Sequence, residues 1–120
     1  MMSRHVYGDA AFITPDLMQA KRHTTQAPGA RFASAAFVTG GLDPVQQRTD
    51  WLDLVESVTM AKLAIAGQQT PPKSKAEIDM LSAMAGVQSA QTSGSLGMVE
   101  ECPEQILAVL LPFFKQHLVD

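Results

Sequence analysis

Apolar residues in the first half of the chain recur at helical spacing between proline and glycine breaks, and near residue 60 that pattern gives way to a short continuous apolar run. The breaks are Thr14-Pro15-Asp16, Ala27-Pro28-Gly29 and Gly40-Gly41. Thr14 is placed to cap a helix whose first turn holds Pro15, where an unbonded amide costs nothing, and Asp16, whose carboxylate meets the positive helix end. This predicts a short helix to about His23. A second helix is expected over Arg31 to Val38. Asp43-Pro44 repeats the cap-then-proline signal, and Val45, Arg48, Trp51, Leu52 and Val55 follow at helical spacing to about Ser57.

Met60 to Ala66 stops at Gly67 and the pair Pro71-Pro72, which predicts a buried strand over 61–66. Ser74-Lys75-Ala76-Glu77 has the form of a capping box, Ile78, Leu81 and Ala85 line one face, and Gly86 sits where a left-handed residue ends a helix. A helix over 75–85 follows. Val87 to Thr92, bounded by Gly86 and Gly94, reads as a second strand. From Pro103 a last helix sets Ile106, Leu107, Leu110, Leu111, Phe114 and Leu118 along one face, with Pro112 removing one backbone bond and bending it. Strand, helix, strand, helix in residues 60–118 implies two parallel strands with a right-handed crossover. The fold class is therefore α/β: short parallel strands with flanking helices.

A hydrophobic content of 46% in 120 residues excludes disorder as the default. The formal charge of −3, from 9 Lys and Arg against 12 Asp and Glu, is scattered, so neither a nucleic-acid partner nor a membrane partner is expected. No run approaches the roughly 18 apolar residues of a membrane span, and the first residues have no apolar leader core. The single cysteine, Cys102, excludes an internal disulfide and fits a reducing compartment, so a cytoplasmic location is expected.

Ser93-Gly94-Ser95-Leu96-Gly97 has the small-x-Ser-x-small shape of a nucleophile elbow. An elbow passes directly from strand into helix, whereas Met98 to Cys102 separate Ser95 from the helix at Pro103, so the segment reads as a glycine-rich loop. His5, His23 and His117 neighbour no suitable serine, and His117 near a helix C-terminus suits the helix dipole. No pair of His or Cys has metal-ligand spacing, and neither metal nor cofactor is expected. Glu100, Glu101 and Glu104 read as charges favouring the start of the last helix. The same helix start would lower the Cys102 pKa, though without a basic partner Cys102 reads as an N-cap substitute.

Residues 60–118 resemble the end of an α/β-hydrolase. The resemblance rests on the buried strand, the loop Gly67-Gln68-Gln69-Thr70-Pro71-Pro72, the helix, the short strand, the glycine-containing loop, and Glu-Glu-x-Pro-Glu before a helix that ends in Leu-Pro-Phe-Phe. Residues 1–57, with short helices joined at Pro and Gly, resemble the helical cap of that family, giving two regions, 1–57 and 58–120. The resemblance implies an acid in the first loop and a histidine in the second, at the carboxyl ends of the strands. Thr70 stands where the acid is expected, and Ser93 to Glu101 contain no histidine. Thr70, Ser95 and Glu100 are the site candidates by loop position, and Phe32, Phe37 and Trp51 are the cap residues available to line a substrate.

The implied activity is hydrolysis of a small-molecule ester or related bond, with the nucleophile expected upstream of Met1 and this chain inactive alone. The substrate would be a small molecule acted on by the complete parent enzyme. The apolar edge of the first strand, guarded only by Lys62, is expected to let the chain self-associate. A different class is also open: a small non-catalytic α/β binding or oligomerisation module using that edge and the last helix.

Overall fold

The computed structural model describes residues 5–45 and 47–118. The chain divides into two compact units, one formed by residues up to Ile13 with those from Thr59 onward, the other by Thr14–Val58. Residues up to Ile13 thus group with the strand-containing unit, not with the helices that follow them in sequence. The reason is chemical: His5 to Asp9 carry hydrogen-bonding groups whose partners lie beyond residue 90.

The Thr14–Val58 unit holds three helices, α1 (Pro15–Thr25), α2 (Ala30–Val38) and α3 (Arg48–Ser57). Thr14 caps α1 as expected, its side chain accepting from the Leu17 amide at 3.2 Å with Pro15 at the first helical position. α2 follows Gly29, whose φ of 81° makes the reversal that a side chain would resist. α3 begins at Arg48, several residues later than the Asp43-Pro44 signal implied. Asp43 Oδ1 instead accepts from the Val45 amide at 3.0 Å, closing a local turn around Pro44. No described residue of the three helices is buried.

In the other unit, β1 (Lys62–Gly67) and β2 (Val87–Thr92) pair in parallel, with Lys62 opposite Val87 and Gly67 opposite Thr92. The helix between them, α4, spans Pro72–Ser82 in place of the expected 75–85. Pro72 supplies a fixed φ at the first helical position, so the helix starts there and Ser74 falls within its first turn, where it caps nothing. Its end is set at Ala83, and Gly86 takes its positive φ, 75°, just before β2. Lys75 and Asp79 pair at 2.6 Å one turn apart, a half-exposed contact that contributes only about 0.3–0.5 kcal/mol.

After β2, a short helix α5 (Met98–Glu101) precedes α6 (Pro103–His117), with Cys102 as the break between them. α6 continues through Pro112, which leaves the Ala108 carbonyl without its usual intrahelical donor. The apolar face expected for this helix divides in two. Ile106 is buried and Leu110 half-buried, whereas Leu107, Leu111, Phe114 and Leu118 are exposed. A two-strand sheet is too narrow to cover a wide helical stripe, so one line of side chains is buried and the next is left in solvent. Among the described residues no helix is long and apolar enough to cross a membrane.

Candidate functional site

Parallel pairing brings the loops after β1 and β2 to the same end of the sheet. The Gln68 amide donates to the Thr92 carbonyl and the Gln69 amide to the Gly94 carbonyl, each at 2.9 Å. Gly67 permits this closeness, because a Cβ there would lie 2.5 Å from the Gly94 carbonyl oxygen and 2.8 Å from that of Ser95. Both are backbone atoms with no room to retreat.

Thr70 and Ser95, expected at the site from loop position, do lie in these two loops, and both are buried. Ser95 is 1% exposed, and its hydroxyl donates to the Gln69 carbonyl at 3.1 Å and the His5 carbonyl at 3.0 Å. Its single proton is shared between two backbone acceptors, neither of which can act as a base at neutral pH. A nucleophile needs a base to take that proton and an open path to its oxygen, and Ser95 has the geometry of a tie between segments. Thr70 is held by its backbone N–H, which donates a hydrogen bond to the Gly67 carbonyl at 3.1 Å.

Glu100, the third loop candidate, accepts a 2.6 Å hydrogen bond from the Tyr7 hydroxyl. Its neighbour Glu101 accepts from the amides of Gly8, at 2.9 Å, and Asp9. These two carboxylates were expected to serve the start of the last helix, and they instead anchor the amino-terminal segment. Tyr7 is 1% exposed, the largest side chain so completely enclosed, and its ring lies 5.1 Å from that of Phe12. Sequence reasoning missed Tyr7. The available signal was the one tyrosine of the chain, followed by Gly8-Asp9, with an adjacent glutamate pair far downstream.

Beside these contacts an open cleft of about 460 Å³ is lined by Asp9, Phe12, Gln69, Ser93, Glu101 and Cys102, among others. Cys102 was expected to have a lowered pKa at its helix start. It is instead raised, first by burial and then by the negative charges of Glu101 and Glu104, and its side chain makes no cap bond. At neutral pH it is therefore a thiol and a poor nucleophile.

His117 lies elsewhere, its ring nitrogen 3.0 Å from the Gln88 side-chain amide and its ring centre 4.7 Å from that of Phe113, the two rings tilted by 54°. Gln88 is the second residue of β2, about 13 Å up the strand from Thr92 at the usual rise per residue, so His117 marks the opposite end of the sheet from Ser95. Phe32, Phe37 and Trp51 belong to the helical unit. Phe32 and Phe37 are 66% and 76% exposed on α2, with the Arg31 guanidinium 5.0 Å from the Phe32 ring centre, and Trp51 is exposed on α3. Within that unit nothing encloses them as a pocket would. An open depression runs along α1, bordered by Asp16, Gln19, Ala20 and His23, all on one helix. Among the described residues no three His, Cys, Asp or Glu side chains gather where they could hold a metal ion.

Comparison with protein families, with curated proteins and with solved structures finds no match to this chain.

Proposed function

We propose that residues 59–118 are the last two strand-helix units of an α/β-hydrolase-like fold, with Thr14–Val58 as cap-like helices, and that this chain does not hydrolyse substrates by itself. The observation that carries this reading is the meeting of the two strand-end loops, with Thr70 and Ser95 near the places where that family has its acid and histidine. Neither residue is a base, and Ser95 has its proton committed to backbone carbonyls. In this reading the complete parent enzyme acts on a small-molecule ester or related bond.

The test is to incubate the purified chain with generic ester substrates. Release of product at the uncatalysed rate is expected. Saturable turnover that Ser95→Ala abolishes would overturn the inactive assignment. The family assignment has its own test, the coding DNA upstream of Met1. An in-frame Gly-x-Ser-x-Gly after a strand pattern supports the hydrolase reading, and a stop codon behind a ribosome-binding site counts against it.

A second reading, a non-catalytic module that binds a partner or itself, is favoured by one observation. Leu107, Leu111, Phe114 and Leu118 form an exposed stripe along α6, and among the described residues β1 and β2 each have one strand neighbour. Light scattering on the purified chain bears on the choice: a fragment with an open strand edge is expected to form a dimer or larger species, and a monodisperse monomer with a cooperative thermal transition would raise the module above the fragment reading.

A further inference from the structure

The crevice at the carboxyl ends of β1 and β2 is filled by the chain's own residues. His5 to Asp9 lie against the second loop and α5, and the five polar contacts described between them each cross 90 or more residues of sequence. The Tyr7 hydroxyl meets Glu100, the Gly8 and Asp9 amides share the Glu101 carboxylate, the His5 carbonyl accepts from Ser95, and the Val6 carbonyl accepts from the Gly97 amide. Shape matches chemistry. A Cβ on Gly97 would lie 2.7 Å from the Tyr7 ring, and one on Gly8 would lie 3.0 Å from Gly94 Cα, so the niche is open to an aromatic ring followed by glycine. Main-chain groups read by fixed partners, with one side chain in a fitted niche, is how folded domains recognise extended peptides.

We propose that this crevice is a peptide-recognition site, filled in cis by residues 5–9 and able to take the same segment from a second copy of the chain. The ligand chemistry is set by the contacts: a phenol for Glu100, then two consecutive backbone amides for Glu101, with glycine between the aromatic residue and the acid. The second copy is the occupant because it carries that segment residue for residue. This inference stands apart from the hydrolase reading, since it needs neither the family nor any catalytic group. In the intact chain the tethered segment is present at an effective concentration near the millimolar range, so a free segment at micromolar concentration competes poorly.

The experiment uses the full chain carrying Tyr7→Ala, which empties the ring niche, and a fluorescent peptide spanning residues 5–11. Anisotropy is expected to show binding to this variant at least about tenfold tighter than to the unmodified chain, by the same tethering argument. A peptide with alanine in place of the tyrosine should not bind. Equal affinity for both chains, or for both peptides, would overturn the proposal. Should circular dichroism show that Tyr7→Ala does not fold, hydrogen exchange on the unmodified chain replaces it. The amides of Gly8, Asp9 and Gly97 should then exchange together and at least about tenfold faster than that of Gln68, because a displaceable segment opens without unfolding the sheet. Exchange of all four at one rate would make the segment part of the cooperative core and would overturn the site.

Discussion

The two units of this chain solve the same problem, satisfying polar backbone in a small body, by different means. In the helical unit the order is local. Thr24, Thr25, Ser34, Thr39 and Ser57 turn their hydroxyls onto carbonyls three or four residues back, and Thr14 caps the helix it precedes. In the strand-containing unit the decisive contacts join residues far apart in sequence, from Ser95 with Gln69 to Tyr7 with Glu100. All the buried side chains named in the two units, Tyr7, Ala66, Thr70, Thr92, Ser95 and Ile106, belong to the second of these. The difference teaches where a mutation acts: on one helix in the first unit, on the whole unit in the second.

The sharpest break of this comparison is Gly67→Ala. The added methyl would sit against the Gly94 and Ser95 carbonyls, and backbone cannot rotate away as a side chain can. A loss of about 3 kcal/mol is expected, read as a shift of the urea midpoint followed by far-ultraviolet circular dichroism. An unchanged midpoint would mean that the loops are free to separate. Ser95→Ala comes next. It strips the donor from two carbonyls in a buried place, and about 2 kcal/mol should be lost in the same assay. A loss within error would show that water reaches those carbonyls.

Two changes in the helical unit complete the series. Thr14→Ala removes the cap of α1 and should cost about 1 kcal/mol, confined to that helix and visible as faster exchange of the Leu17 amide. Phe37→Ala, on a side chain 76% exposed, should alter stability by no more than about 0.5 kcal/mol. A larger penalty in urea titration would show that Phe37 is covered in solution, which would erase the contrast between the units.

How much of this was legible in the sequence follows the same division. Local signals were read well where they acted alone: Thr14-Pro15 began α1, and Val87 to Thr92 formed a strand paired in parallel with β1, although Gly86, expected to end the helix before it, lies past the cap at Ala83. They failed where two signals competed. Pro72 began α4 ahead of the capping box at Ser74, and Asp43 spent its carboxylate on a turn. The site was half legible. Loop position located Thr70 and Ser95 at one end of the sheet, but the docking of Tyr7 had no periodicity to announce it, since its partners lie 93 residues away. The raised pKa of Cys102 was hidden for a related reason: burial and two neighbouring carboxylates outweigh the helix start.

The distance between Tyr7 and Glu100 has a consequence for how the chain is made. A ribosome adds about 5–20 residues each second, so roughly 5–20 s separate the synthesis of the tyrosine from that of its partner. Throughout that interval the ring has no niche, because Gly97 and the glutamate pair do not yet exist. Helix–coil exchange in residues 14–58 takes about a microsecond, so those turns are sampled many times over in the same interval. The segment around Tyr7 thus leaves the ribosome well before its partners and is among the last to find its place, and until then its aromatic ring is open to chaperones and to neighbouring nascent chains.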